Sequence, residues 1–105
     1  MRLLVLCCVV AVAALGCPPS GQPEDPAFTR GKTTYMGTCI ACHNMNPALD
    51  GAVGPAVKGA SKELLEAKIM RGEYPANYTP KRTTKAMPPQ PQLASTIDDL
   101  AAFLK

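Results

Sequence analysis

The sequence predicts an all-α domain, on three observations. Apolar residues recur at helical spacing in three separate segments, each segment begins at a residue able to cap a helix, and no β-branched run alternates with polar residues as a strand requires. The first segment opens at Asp25-Pro26, an N-cap followed by proline at the first helical position, and Phe28, Gly31, Tyr35 and Cys39 then recur at helical spacing. It predicts a helix over about residues 26–42. Gly31 in its interior costs about 1 kcal/mol against alanine, which asks for close approach of another helix; an exposed, tolerated glycine is the plainer alternative. Residues 44–60, rich in Asn, Pro, Asp and Gly, read as irregular loop. Ser61 caps a second helix that runs to Arg71, with Glu63 in its first turn, Leu65 and Ile69 at i, i+4, and Gly72 as the stop. Residues 73–94 carry Pro75, Pro80, Pro88, Pro89 and Pro91 and few apolar side chains, so this long loop must be ordered by something other than its own packing. Thr96 with Asp99 three residues on has the form of a capping box, and Ile97, Leu100, Ala101 and Leu104 follow at i, i+3, i+4 and i+7. A terminal helix of about ten residues is too short to hold alone in water, so it docks on another element, and the face with Gly31 and Tyr35 is the site for it.

Ahead of these elements, residues 1–16 hold Arg2 and then a nearly unbroken run of Leu, Val, Ala and Cys, the basic and apolar regions of an export signal. The run falls short of the roughly 20 apolar residues a spanning helix needs, and prolines follow it directly. Its end, Ala14-Leu15-Gly16-Cys17, resembles a bacterial lipoprotein signal, although such signals usually carry leucine where Ala14 stands. By that resemblance Cys17 becomes the acylated first residue of the mature chain. Ordinary secretory cleavage near Ala11-Val12-Ala13 is the alternative. The division is then a lipoprotein-type signal over 1–16, an extended proline-rich tether over 17–25 and one domain over 26–105. The product is exported and held on the periplasmic side of a membrane by acylated Cys17, or is soluble in the periplasm if Cys17 is not acylated.

Removing residues 1–16 leaves 89 residues with a side-chain charge of +2, far from the basic excess of a nucleic-acid binder. No Trp, three Tyr and two Phe make a thin core for that length, so something besides side chains fills the centre. The remaining cysteines suggest what. Cys39, Cys42 and His43 form the run CIACH, and His43 is the only histidine of the chain. On a helix the two cysteines share a face and His43 lies four residues from Cys39, so two thiols and an imidazole converge on one flat object. A haem is such an object: its vinyl groups take thioether links from Cys39 and Cys42, and its iron takes a nitrogen of His43. Zinc wants four Cys or His ligands and finds three. A thioredoxin-like pair wants a βαβ pattern that is absent. A Cys39–Cys42 disulfide would close too small a loop to contribute much.

With one histidine in the chain, the sixth iron position falls to Met, Lys, water or nothing. Met1 leaves with the signal, Met45 is too close to His43 to reach the other side, and Met36 lies one turn before Cys39 on the same helix. Met70, beside Ile69, reads as core. Met87, in Ala86-Met87-Pro88-Pro89, has the restricted backbone that suits a rigidly presented thioether, with a plain loop contact as the alternative. An axial thioether raises a haem's potential.

Gly31-Lys32 and Tyr35 ahead of CIACH, Gly54-Pro55 after it, the Met87-Pro88-Pro89 loop and the closing residues 98–104 together resemble a small bacterial class I cytochrome c, over residues 27–105. The resemblance implies three to four helices around one covalently bound haem c, with the first and last crossing near Gly31, Tyr35, Leu100 and Phe103. It implies that the Pro55 carbonyl accepts from the His43 ring nitrogen not on iron, which orients the ligand. Arg71, Tyr74, Asn77 and Tyr78 are candidates for the haem propionates, without a family position to match them to.

An electron carrier is the function this implies: a monomer that makes no bond to a small-molecule substrate, binds no nucleic acid, and meets respiratory-type redox partner proteins at a haem edge. Lys81, Arg82 and Lys85 read first as solvated loop charges and second as groups that steer an acidic partner. Two alternatives stand. A haem enzyme or gas sensor needs an open sixth site, and no distal histidine is left to serve as acid or base. A fixed cytochrome subunit of a larger oxidoreductase has the same sequence requirements as a mobile carrier.

Overall fold

A computed structural model describes Gly16 and residues 24–105. Apart from Gly16, the export signal expected over 1–16, with Cys17 and most of the expected tether over 17–25, lies outside the described residues. The domain is all-α: α1 (Pro26–Thr38), α2 (Lys62–Arg71) and α3 (Ile97–Leu104), with short 3₁₀ turns at Cys39–Ala41 and Pro91–Thr96 and no strand among the described residues. None of the helices described is long and apolar enough to cross a membrane.

The Asp25 carboxylate accepts from the Ala27 amide at 3.1 Å and Pro26 fills the first helical position, so α1 begins where local chemistry puts it. It ends four residues before position 42, as a 3₁₀ turn in which the Cys42 and His43 amides both reach the Cys39 carbonyl, at 3.2 and 2.9 Å. Beyond this turn the Cys42 carbonyl accepts from the Val53 and Gly54 amides, at 3.2 and 2.9 Å, so the chain does not resume the helix.

Gly31 is buried where α1 meets α3: a Cβ there would fall on the Asp99 backbone carbonyl. Closeness at this point lets Phe103 reach both Phe28 and Tyr35, with ring centroids 5.2 and 5.3 Å apart. Tyr35, Leu65, Ile69, Ile97, Leu100 and Leu104 form the buried core that joins the three helices. Ser61 caps α2 by accepting from the Leu64 amide at 3.1 Å, and Gly72 ends it in the left-handed conformation at φ 69°.

At α3 the capping box does not form. Pro91 starts a 3₁₀ turn that runs through Thr96, whose backbone at φ −101°, ψ −3° is already helical, and its hydroxyl donates to the Leu93 carbonyl at 2.7 Å. The long loop therefore ends at position 90, and α3 has eight residues.

Arg30 grips Asp99 with two hydrogen bonds of 2.9 and 2.8 Å, tying α1 to α3 beside Gly31. That guanidinium holds the Asp99 carboxyl below its usual range. A depressed folded-state value means that the contribution is complete above the unfolded value, about pH 4, and is lost as pH falls through the lower folded value. Arg30→Gln is accordingly expected to be less stable than the parent at neutral pH, with the two denaturation midpoints converging as pH falls through the depressed Asp99 value. Parallel midpoints down to acid would sink this assignment.

Candidate haem site

A cavity of about 490 Å³ lies between the end of α1, residues 53–61, α2 and the proline loop. Cys39, Cys42, His43, Pro55, Tyr74, Tyr78 and Met87 all line it. Cys39 and Cys42 come from the 3₁₀ turn and are not joined in a disulfide. Burial pushes the Cys39 thiol pKa up, which keeps it neutral.

His43 is oriented by two backbone features. Its Nδ1 lies 2.9 Å from the Pro55 carbonyl, which can only accept, so Nδ1 carries the proton and Nε2 keeps its lone pair for a metal. Gly54 passes so close behind the imidazole that a Cβ there would strike the ring. Tyr35, fully buried, donates from its hydroxyl to the Asn44 carbonyl at 2.6 Å and anchors the chain next to His43 from α1. Asp50 continues the frame: its carboxylate accepts from the Ala56 amide at 2.8 Å and meets Arg82 at 3.2 Å. Both partners hold the Asp50 carboxyl below its ordinary range.

Among the described methionines, Met87 is the one that lines the cavity. Met36, Met70 and Met87 all pack against the core, but Met36 and Met70 do not line the cavity, and Met45 is exposed. The Met87 segment is tethered to the end of α2, where the Gln90 amide donates to the Ile69 carbonyl at 2.6 Å and Pro89 stacks over Gly72.

The four propionate candidates separate. Tyr74 and Tyr78 stack at 5.4 Å with nearly parallel rings, and the Lys68 ammonium sits 4.3 Å over Tyr74. Arg71 does not join them: it is exposed and turned to Glu73 at 3.3 Å, because its place at the last turn of α2 leaves it on the solvent side. Asn77, at φ 65°, is a turn residue outside the lining, and its conformation is what returns the chain so that Tyr78 meets Tyr74. Sequence reasoning passed over Lys58 and Lys68. Together with Lys81 and Arg82 they are the Lys and Arg residues of the lining, which holds no Asp or Glu. The available signal was Lys68 at i+4 from Leu64, a cation on an otherwise apolar helix face.

The residues fit a haem by their own chemistry. An apolar cavity rimmed by cations suits a flat apolar ring that carries carboxylates, and the two thiols, the oriented imidazole and the thioether supply links and axial donors. Among the described residues no group of three or more His, Cys, Asp or Glu side chains is gathered to hold a bare metal ion. An all-α chain with this donor set in one cavity is built as a covalent haem protein. Residues 28–105 match the cytochrome c family model, and the chain belongs to that family. It carries a covalently bound c-type haem and serves haem-based electron transfer, as the family does, with redox proteins for partners. No curated protein and no solved structure matches the chain.

Proposed function

We propose that this chain is a bacterial, monomeric, lipid-anchored electron carrier in which His43 and Met87 are the axial ligands of one haem bound through Cys39 and Cys42. The haem, when bound, supplies a one-electron ferric–ferrous couple. The observation that carries the reading is the convergence of Met87 on the cavity that holds the chain's only histidine. His43 presents Nε2, fixed by the Pro55 carbonyl, while Met87 presents a neutral sulfur from a segment stiffened by two prolines. The lining offers no Asp, Glu or second His to bind or activate a substrate at the sixth position, which favours a position filled by Met87 over an open one for substrate or gas. The chain thus makes no substrate bond and is no enzyme. The export signal over 1–16, acylation at Cys17 and a tether over 17–25 complete the reading, and put domain 26–105 on the periplasmic side of a membrane.

The deciding experiment is an absorption spectrum of the matured domain, oxidised and reduced, with and without carbon monoxide. A sulfur-to-iron charge-transfer band in the ferric form, with no rapid CO uptake when reduced, is the expected result. A high-spin ferric spectrum with avid CO binding would overturn it in favour of a haem enzyme or sensor.

A further inference from the structure

We infer that Asp50, Lys81 and Arg82 form a clasp across the cavity mouth that positions the His43 loop and the Met87 loop against each other. The clasp rests on the axial assignment proposed above. Three contacts compose it, and all run between segments far apart in sequence or across a turn. The Asp50 carboxylate accepts from the Ala56 amide at 2.8 Å, the same carboxylate meets the Arg82 guanidinium at 3.2 Å, and the Lys81 ammonium donates to the Ala56 carbonyl at 2.8 Å. Both backbone groups of Ala56 are therefore engaged, one residue after the Pro55 carbonyl that orients His43. On the other side, Lys81 and Arg82 lie five to six residues before Met87, in a stretch whose next backbone anchor is the Gln90–Ile69 hydrogen bond.

Asp50 is itself held from within, since its carbonyl accepts from the Asn44 side chain at 3.2 Å, next to His43. The 44–56 loop is thus a closed frame, and the clasp is its attachment to the proline loop. Such an attachment limits how far Met87 withdraws from the cavity when an external ligand competes for its place. Arg82 and Asp50 side chains are 41% and 60% exposed, so their attraction is screened and modest. Asp50 lies outside the cavity lining and Arg82 within it, and both are positioning residues that act through the two loops they join.

The test uses the matured holoprotein and Asp50→Asn, Arg82→Gln and the double variant, with Lys62→Gln as a control that breaks the ion pair with Asp98 at 2.7 Å elsewhere. Imidazole is titrated into the ferric form, where it competes with the axial thioether. Each single clasp variant is expected to bind imidazole about two- to fivefold more tightly, the range one exposed pair supports. The double variant should add little to either, the gain should shrink in 1 M salt (about a 3 Å screening length), and the control should match the parent. Amide exchange over residues 79–87 should quicken in the clasp variants alone. A parent with a sulfur-to-iron band whose clasp variants bind imidazole unchanged overturns the clasp. A parent without that band overturns the axial reading instead, and unchanged exchange over 79–87 then overturns the clasp independently.

Discussion

Replacing Met87 with alanine is expected to abolish the ferric sulfur-to-iron band, open the ferrous iron to carbon monoxide and lower the reduction potential by at least ~100 mV, a fraction of the ~0.8 V that axial ligands command. The reason is electronic. A thioether is a neutral, weakly donating ligand that favours the ferrous state, and a water or an empty position does not replace it. Met70→Ala is the matched control. Met70 packs against the core from α2 and does not line the cavity, so its removal should cost about 2 kcal/mol of stability while the spectrum stays as it was. Spectra, CO titration and potentiometry on the two variants separate the roles. An unchanged band in Met87→Ala, or a lost band in Met70→Ala, would refute the assignment.

The second large effect comes from one substitution made at two places in one helix. Helix propensity alone says that glycine to alanine in α1 stabilises by about 1 kcal/mol. At Gly37, where an added Cβ meets nothing within 4 Å, that gain should be realised. At Gly31 the same Cβ falls on the Asp99 backbone and lies 2.9 Å from the Phe103 Cβ, and neither neighbour is a flexible side-chain end that can swing away. The helices must separate there, which loosens the Arg30–Asp99 hydrogen bonds and the Tyr35–Phe103 contact together. Gly31→Ala is expected to lose about 3 kcal/mol, a large part of the roughly 5–15 kcal/mol that a domain possesses. Denaturant unfolding of both holoproteins reads the difference directly. Equal midpoints for the two variants would mean that the α1–α3 approach is looser than the geometry indicates.

How far the sequence could be read depends on the range of the interactions involved. The second helix was legible at both ends because Ser61 and Gly72 act on amides and carbonyls within a few residues. The C-terminal end of α1 was not: the chain tightens into a 3₁₀ turn over Cys39–Ala41, and the Cys42 carbonyl beyond it is claimed by Val53 and Gly54 across an irregular loop. Likewise the pairing of Thr96 with Asp99 has the spacing of a capping box, yet Pro91 sets a 3₁₀ turn that brings Thr96 into helical conformation and turns its hydroxyl to Leu93. In the sequence Arg71 and Asn77 stand on the same footing as Tyr74 and Tyr78. One lies on the solvent side beside Glu73 and the other serves a turn, whereas their neighbours Tyr74 and Tyr78 reach the cavity.

By itself the sequence determined the helical class, the thin core that calls for a filling group, and the CIACH run that says which group, because each is a matter of composition or of spacing within one turn. Tertiary structure decided which glycine is indispensable, which methionine shares a cavity with His43, and which cations gather around it. Those depend on where distant backbones meet. Gly31 and Gly37 are the same residue in the same helix, and only the arrival of Asp99 from the other end of the chain makes them different.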